Sequence, residues 1–383
     1  MLHKAKKENP DSIVVADGCY VQTSSEEAAR DLSVDIIIGN DKKHELVELI
    51  ENCMNQKKNA NEETEGVDDW KENICDINEK GRAYEALSIS RTEENTRAFL
   101  KVQDGCNNFC SYCIIPYARG PVRSLPLETA AAQARGLAGE GYREIVVTGI
   151  EVASWGWDFK DGSRLPQLIA ALCEAVPEVR VRLGSLEPRV IDAEFCRLAA
   201  YPNLCPQFHL SMQSGCDTVL KRMRRKYDTA RYLQSVEDLK RAFPGCAVTT
   251  DMIVGFPGET EEEFLQSLEF IRRCGFAHMH IFPYSRREGT PAAAMPEQVP
   301  KAVKEERARR AAAVAKELRE AFDTAMLGTV QGVLFEQIED GLFTGHAPNG
   351  VKVYAAGEDL HNRLLRVRIE GLREDGVFGA LAP

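Results

Sequence analysis

Residues 97–113, RAFLKVQDGCNNFCSYC, join an alternating apolar stretch to a polar loop that carries three cysteines. Cys106, Cys110 and Cys113 are spaced C-x3-C-x2-C, and the chain has no second C-x2-C or H-x3-H pair that would complete a four-ligand zinc site. Three thiolates can instead hold a [4Fe–4S] cluster and leave one iron open to an external ligand. The spacing therefore favours an iron–sulfur cluster over zinc and over three unrelated loop thiols.

Strand and helix patterns alternate six times from this stretch onward. Such alternation predicts an α/β fold, here a partial (β/α)6 barrel over residues 95–326, with functional residues at the C-terminal ends of parallel strands. The predicted strands are RAFLKVQDG (97–105), EIVVTGIE (144–151), VRVRLGSLEP (179–188), QFHLSMQSG (207–215), AVTTDMIVGFPGE (247–259) and HMHIFPYS (278–285).

A shorter α/β pattern precedes the barrel and predicts a small parallel sheet in a first domain, residues 1–54. The polar and acidic residues 55–94 predict a linker or an insertion. The elements predicted in the first domain are strands over residues 11–19 (DSIVVADGC) and 34–40 (VDIIIGN) and helices over residues 25–33 and 42–53.

The C-terminal part of the chain changes character. Residues 301–325 form a long charged pattern that predicts one helix. Residues 327–383 alternate between apolar and polar side chains and are punctuated by glycine, which predicts a small β-barrel.

Composition excludes several classes of protein. No apolar run reaches the roughly 18 residues that a membrane span needs, and the N-terminus MLHKAKKENPDS lacks the apolar core of a signal peptide. We therefore expect a cytoplasmic protein whose 12 cysteines are thiols rather than a disulfide framework. The net charge of −11 argues mildly against a large nucleic-acid footprint but permits local basic patches.

Six stretches together resemble the radical S-adenosylmethionine (SAM) methylthiotransferases. The resemblance implies three parts: a first α/β domain, a radical SAM barrel and a C-terminal TRAM domain. It also implies a [4Fe–4S] cluster whose open iron chelates the amino and carboxylate groups of SAM, and cleavage of SAM to a 5′-deoxyadenosyl radical. The stretches are QDGCNNFCSYCIIPYARGPVRS, TGIEVASWGWD, RLGSLEPRVID, HLSMQSGCDTVLKRMRRKY, TTDMIVGFPGETEEEF and FPYSRREGTPA.

Within this family, GCNNFC, IIPYARGPVRS, GSLEPR and YSRREGTPA are most similar to one branch. That branch methylthiolates C2 of threonylcarbamoyladenosine next to the anticodon of tRNA. The alternatives are methylthiolation of isopentenyladenosine in tRNA, methylthiolation of a ribosomal-protein aspartate, and a non-catalytic iron–sulfur RNA-binding module. The resemblance implies three partners: the tRNA anticodon stem-loop, a sulfur donor, and a reductant such as flavodoxin or ferredoxin.

The resemblance also implies roles for residues at the strand ends. Cys106, Cys110 and Cys113 would hold the SAM-binding cluster, and Tyr112 would lie against the adenine of SAM. Any of the remaining residues could instead cap a turn or a helix. The further residues expected to bind SAM are Thr148, Gly149, Glu151, Ser185, Glu187, Ser211, Gln213 and Gly255.

A second [4Fe–4S] cluster is held in this family by three cysteines of the first domain. Cys19, in VVADGCYVQT, matches the third of these, whereas the other two would lie upstream of Met1. Cys53 and Cys75 lack the matching neighbours. We therefore expect a truncated first domain, in which Cys19 is either a remnant ligand of the second cluster or a core thiol.

Basic residues near the strand ends and in the tail predict contacts with RNA phosphates. One group lies in KRMRRKYDTAR (221–231), and the alternative interpretation of that run is a solvated helix face. The candidate RNA-binding residues are Arg222, Arg224, Arg225, Arg286, Arg287, Arg366 and Arg368.

Overall fold

The computed structural model describes residues 2–31, 33–40, 42–59, 73–79, 84–85 and 96–383. The chain divides into two compact units. The first consists of Met1–Leu87, Gly105–Asn107 and Ile114–Arg123, and the second of Ser88–Asp104, Asn108–Cys113 and Ser124–Pro383. Within the described residues, no helix has the length and apolar character required to span a membrane.

The first unit contains two short parallel strands and small helices. Val15 pairs with Ile36, which confirms the predicted parallel sheet. Its core contains Val21, Ala28 and Ile37. The elements are α1 Leu2–Glu8, β1 Val15–Asp17, α2 Cys19–Thr23, α3 Ser25–Ala29, β2 Ile36–Ile38, α4 Leu46–Asn59 and α5 Ile115–Arg119.

Helix α4 ends later than the sequence pattern predicts. The sequence LVELIENCMNQKKN contains neither glycine nor proline, and its glutamine and lysines favour helix, so the helix continues to Asn59. The predicted start of the linker at residue 55 therefore lies inside α4. Most of the remaining predicted linker lies outside the described residues.

The second unit contains all six predicted strands of the central region. They are parallel to their neighbours, as expected. The third is interrupted at Gly184, whose N–H donates to Val147 O at 2.8 Å. The strands are β3 Arg97–Asp104, β4 Arg123–Ser124, β5 Glu144–Gly149, β6 Arg180–Leu183, β7 Ser185–Leu186, β8 Gln207–Leu210, β9 Ala247–Val254 and β10 His278–Pro283.

Helices alternate with these strands, as the sequence predicts. Thr260 and Glu263 form a reciprocal capping box at the start of α11, and Gly275 ends that helix in the left-handed conformation. The helices are α6 Leu127–Gly139, α7 Leu165–Ala175, α8 Ala193–Cys196, α9 Asp217–Arg222, α10 Thr229–Ala242, α11 Glu261–Cys274 and α12 Lys301–Ala325. Helix α12 spans the residues predicted for it.

Strands β8, β9 and β10 form one sheet with two different faces. Successive side chains of a strand point to opposite faces. One face is buried and includes Phe208, Met252 and Met279. The opposite face includes His209, Asp251 and other polar or accessible side chains. We call this opposite face the inner face.

The predicted C-terminal β-barrel is confirmed as a closed five-stranded barrel in the order β11-β12-β13-β15-β14. Its core is formed by side chains that alternate along the strands, among them Val333, Phe335, Val367 and Val377. The strands are β11 Val330–Glu339, β12 Leu342–His346, β13 Lys352–Ala355, β14 Leu364–Arg373 and β15 Gly376–Leu381.

Three arginines, Arg97, Arg180 and Arg182, connect this barrel to the N-terminal ends of the parallel strands. Arg182 is buried, donates to both carboxylate oxygens of Glu144 at 2.6 and 3.0 Å, and also donates to Pro348 O and Ala347 O. Arg180 donates to the carbonyl oxygen of Gly332 at 2.5 Å. Backbone carbonyls of the barrel accept these bonds, whereas Arg97 pairs with the side chain of Glu336 at 2.7 Å, so the connection uses both backbone and side chains.

We predict that Arg307→Ala strongly destabilises the second unit. Arg307 donates to Glu259 Oε2 at 2.9 Å, and the exposed fractions of the two side chains are 5% and 0%. Removal of one partner leaves a buried carboxylate without its counter-ion, which typically costs about 3–5 kcal/mol. The free energy of unfolding in urea measures this effect.

Arg309→Ala on the same helix is the matched control. Arg309 pairs with Glu306 one turn away, and its side chain is 76% exposed. An exposed pair contributes little, so this variant should unfold like the wild type. Equal stabilities of the two variants would contradict a structural role for the buried pair.

Candidate functional site

Ser111 anchors the loop between the second and third of the three clustered cysteines. Its N–H donates to Met223 O at 3.0 Å, and its hydroxyl donates to Arg222 O at 2.8 Å. Its carbonyl accepts from the N–H of Ala292 at 2.8 Å. These bonds join the cysteine loop to the turn after α9 and to the segment before α12, so three distant parts of the sequence define one loop conformation.

Tyr112, the next residue of the loop, adds apolar contacts that also hold the loop in place. Its ring meets the ring of Phe256 edge-on, with 6.3 Å between the ring centroids. Phe256 follows Gly255 in the loop after β9, which is the loop expected to bind adenosine. Burial raises the pKa of the Tyr112 phenol, so this group stays neutral. The buried side chains around it are Cys216, Val219, Met223, Phe256, Tyr284 and Ala292.

Arg225 approaches the sulfur of Cys110. Its Nη1 donates to Cys110 Sγ at 3.2 Å, its Nε donates to Tyr227 Oη at 3.0 Å, and its Nη2 donates to Ser211 O at 3.4 Å. A guanidinium cation at this distance stabilises negative charge on the sulfur. Arg225 therefore places a cation beside one of the three sulfurs of the cysteine loop.

Gly105 allows the tight turn that precedes the first cysteine. Its φ is +72°, and a Cβ at this position would lie 1.9 Å from Pro121 O. The N–H of Cys106 donates to Gly120 O at 3.0 Å. A larger residue than glycine cannot occupy the first position of the GC pair without moving the backbone.

The donor set is chemically suited to an iron–sulfur cluster. Cys110 is buried, and Cys106 and Cys113 are partly buried. None of the 12 cysteines, all of which lie in described parts of the chain, forms a disulfide. No group of three His, Cys, Asp or Glu side chains among the described residues is arranged to hold a single metal ion. A cluster differs from a single ion because its thiolates bind separate irons.

Two carboxylates lie at neighbouring strand ends. Glu187 is buried and accepts from Arg189 Nε at 2.7 Å and from Arg189 N at 3.1 Å. The N–H of Glu151 donates to Gln103 Oε1 at 2.7 Å. Burial, together with the nearby charge of Glu187, raises the pKa of Glu151 to about 7. This carboxyl can therefore exist in either protonation state near neutral pH.

The other predicted SAM-binding residues also lie at the C-terminal ends of the strands. The N–H of Gln213 donates to Asp251 O at 2.9 Å and brings the segment after β8 beside β9. The N–H of Gly255 donates to Glu259 Oε2 at 2.6 Å, so the buried ion pair of Glu259 also supports this loop. Thr148 and Gly149 end β5, Ser185 begins β7, and Ser211 follows β8.

The structure places the predicted RNA-binding arginines in different environments. Arg225 faces Cys110 rather than an exposed surface, and Arg222 is paired with Glu263 at 2.6 Å. The sequence could not distinguish Arg222 and Arg225 from the exposed Arg224, because the run KRMRRK does not show which way each side chain points. The exposed members of the set are Arg224, Arg286, Arg287, Arg366 and Arg368.

Cys19 begins α2 in the first unit and has polar neighbours. Arg119 Nε donates to Cys19 Sγ at 3.3 Å, and Asn40 Nδ2 lies 3.9 Å from the same sulfur. Asn40 is buried and also donates to Ala118 O at 2.7 Å. Sequence reasoning missed both neighbours: Asn40 ends a predicted strand, whereas Arg119 ends a short helix that the sequence pattern did not predict.

Comparisons with known proteins identify relatives along most of the chain. The Radical SAM superfamily model matches residues 100–271. A threonylcarbamoyladenosine tRNA methylthiotransferase, MtaB, from Bacillus subtilis is 39% identical over 377 residues, which are 96% of this chain and 81% of that protein. A tRNA-2-methylthio-N(6)-dimethylallyladenosine synthase from Acetivibrio thermocellus is 33% identical over 389 residues, which are 100% of this chain and 78% of that protein.

A solved structure shows the same fold at low sequence identity. The radical SAM methyltransferase TsrM from Kitasatospora setae, with cobalamin and a [4Fe-4S] cluster bound, aligns with a TM-score of 0.56 at 16% identity. The alignment covers 76% of this chain and 60% of TsrM. This likeness concerns the fold alone.

We predict that Arg225→Gln lowers the reduction potential of a cluster held by the three cysteines. The variant removes a cation and a hydrogen bond from Cys110 Sγ, and hydrogen bonds to cluster sulfurs are among the factors that set the potential. A differential stabilisation of about 1 kcal/mol corresponds to roughly 40 mV for a one-electron couple. Redox titration followed by electron paramagnetic resonance gives the potential.

Arg224→Gln, which changes the exposed neighbour, is the control and should leave the reduction potential unchanged. Equal potentials for the wild type and both variants would exclude this role of Arg225.

We also predict that Glu151→Gln stabilises the fold more at pH 8 than at pH 5. In the folded protein the pKa of Glu151 is raised to about 7, whereas the ordinary pKa of a glutamate side chain is 4.5. Ionisation of Glu151 therefore destabilises the fold as the pH rises through this window, and glutamine cannot ionise. Urea unfolding of both proteins without SAM at several pH values measures the difference. If the two proteins differ in unfolding free energy by the same amount at every pH, burial does not raise the pKa of Glu151.

Proposed function

Because the chain belongs to the radical SAM methylthiotransferase family, we propose that it installs a methylthio group at C2 of threonylcarbamoyladenosine next to the anticodon of tRNA. The observation that carries this proposal is the 39% identity over 96% of the chain to a protein with that activity in its name. The geometry of the cysteine loop supports it, because the loop is anchored and charge-stabilised as a cluster ligand loop needs to be.

Cys106, Cys110 and Cys113 would hold a [4Fe–4S] cluster, with one iron left for the amino and carboxylate groups of SAM. When bound, the cluster and SAM would supply the radical chemistry that acts on C2 of the target adenine. The protein fixes the positions of these groups. Arg225 stabilises the charge on Cys110, and Ser111 holds the loop backbone.

The strand ends would bind SAM in an arc around the cysteine loop. Tyr112 and the Gly255 loop provide an apolar edge for the adenine, and the two share the contact with Phe256. Glu151 provides a carboxylate for an ammonium group, whose binding would favour the ionised form. The other proposed SAM-binding residues are Thr148, Gly149, Ser185, Glu187, Ser211 and Gln213.

In this proposal, the first compact unit of the chain takes part in the sulfur-donating half of the reaction. Cys19 would be one ligand of a second [4Fe–4S] cluster, and Arg119 and Asn40 would donate hydrogen bonds to its sulfur. A reductant such as flavodoxin or ferredoxin would supply electrons, and a separate sulfur donor would supply the transferred atom.

A second candidate substrate is dimethylallyladenosine in tRNA. The relative that carries this activity in its name is 33% identical over the whole of this chain. The two candidates share the reacting C2 of adenine and differ in the substituent on N6, so they can be compared directly with matched RNAs.

We predict that the reconstituted protein converts the threonylcarbamoyl substrate at least about tenfold faster than the dimethylallyl substrate, since a binding pocket commonly distinguishes such groups by this factor or more. The assay combines anaerobic protein, SAM, reductant and sulfide with short anticodon stem-loop RNAs that carry either group. Mass spectrometry of the nucleosides detects methylthiolation, and chromatography detects 5′-deoxyadenosine.

Cys110→Ala should abolish both products, whereas Cys246→Ala should not. Cys246 is a buried thiol outside the cysteine loop. Faster conversion of the dimethylallyl RNA would assign the second substrate. RNA binding without any 5′-deoxyadenosine would instead favour the non-catalytic module.

A further inference from the structure

A cavity of about 540 Å³ opens at the N-terminal ends of β8, β9 and β10, the ends opposite those that carry the predicted SAM-binding residues. Residues of α12 and of the C-terminal barrel complete its wall. Four of the seven histidines of the chain line it: His209, His278, His280 and His346. No motif used in the proposed reaction accounts for this concentration of imidazoles.

Aromatic rings continue from this cavity along the inner face of β10. The alternate residues His278, His280 and Phe282 share one face of the strand. The rings of His278 and His280 meet edge-on, with centroids 4.7 Å apart and an interplanar angle of 63°. The rings of His280 and Phe282 are nearly parallel, with centroids 6.4 Å apart and an interplanar angle of 25°. His209 on β8 lies 6.3 Å from His280. We call these four side chains the ring row.

Two members of the ring row are exposed, and the other two are partly buried. Phe282 is 51% exposed and His280 is also exposed, whereas Met279 on the opposite face is buried. Exposed rings that line a cavity or continue from it are candidate ligand contacts. The row begins at the cavity and ends at Phe282, one residue before the end of β10.

The nitrogen atoms of His209 have partners within the protein. His209 Nδ1 bonds to Thr249 Oγ1 at 3.0 Å, and its Nε2 lies 3.3 Å from Asp251 Oδ2. Burial lowers the pKa of His278, and His280 adds to this effect, so the His278 ring is neutral at neutral pH. Within the described residues these imidazoles are not among any group suited to a single metal ion.

The mouth of the cavity does not have the charge of a phosphate site. Its cations are each matched by a carboxylate: Arg319 lies 3.5 Å from Asp323, and Lys352 lies 2.6 Å from Glu339 and 2.9 Å from Asp375. A ligand recognised here must therefore be bound through flat, uncharged surface. Nucleobases have such surfaces and stack on aromatic side chains.

We propose that the ring row is the stacking surface for an unpaired base of the substrate RNA, which enters from the cavity beside the C-terminal barrel. This inference rests on the proposed function, because it takes RNA as the substrate. It assigns RNA recognition to His209, His278, His280 and Phe282, in addition to the arginines suggested by sequence. Stacking on the ring row would direct a base along β10 toward the C-terminal ends of the strands.

The test uses the cluster-loaded protein and a short anticodon stem-loop RNA with a fluorescent end label. Dissociation constants are measured by anisotropy at several salt concentrations for the wild type and for His280→Ala/Phe282→Ala. We expect the double variant to bind about tenfold or more weakly, with an unchanged dependence on salt, because stacking releases no counter-ions. His280→Phe, which keeps a ring, should bind like the wild type.

His361→Ala is the matched control, since His361 is an exposed histidine of the C-terminal barrel outside the ring row. It should bind RNA like the wild type. SAM binding by each variant reports whether the fold is intact. A second measurement needs no variant: RNAs with 8-azidoadenosine at each unpaired loop position other than the target are crosslinked to the wild type, and for at least one of them the expected crosslinked peptide contains residues 278–283.

Each other outcome overturns the inference in a distinguishable way. Equal RNA affinity of the wild type and the folded double variant, or crosslinks that avoid β10, would remove the ring row from RNA recognition and leave the proposed function intact. A smaller salt dependence in the double variant would indicate phosphate contacts instead of stacking. No RNA binding by the wild type would contradict both the inference and the proposed function.

Discussion

The hydrogen bonds of Ser111 and Arg225 are the constraint on which the rest of the site depends. Ser111 joins the cysteine loop to the carbonyls of Arg222 and Met223, and Arg225 brings a cation to Cys110 from the same turn. A loop with several thiols would otherwise sample many conformations, and fixing it costs conformational entropy. The turn after α9 offsets this cost through contacts distant in sequence, so ligand spacing and electrostatics are set together.

Buried ion pairs support both ends of the parallel strands. At the C-terminal ends, Arg307 neutralises Glu259, which holds the Gly255 loop that packs on Tyr112 through Phe256. At the N-terminal ends, Arg182 joins Glu144 to backbone carbonyls of the C-terminal barrel. The site for chemistry and the proposed entrance for RNA therefore lie at opposite ends of the same strands, and each end has its own electrostatic support.

Local patterns in the sequence predicted the elements well. The alternation of strand and helix patterns predicted the six parallel strands, and the glycine-punctuated apolar–polar pattern predicted the C-terminal barrel. The cysteine spacing predicted the proposed cluster ligands. Non-local contacts could not be predicted. At Gly184, where the third strand is interrupted, the backbone N–H donates to Val147 O on the neighbouring strand. The direction of Arg225 depends on where its turn meets the cysteine loop. The ring row escaped notice because His209 and His280 become neighbours only when β8 and β10 share a sheet.

The central claim is that Cys106, Cys110 and Cys113 hold one [4Fe–4S] cluster. Iron and labile sulfide content, measured after anaerobic reconstitution of the wild type and of the triple variant Cys106→Ala/Cys110→Ala/Cys113→Ala, tests this claim most directly. The account predicts that the variant loses about four irons and about four sulfides per chain relative to the wild type. Equal iron and sulfide in the two proteins would contradict it.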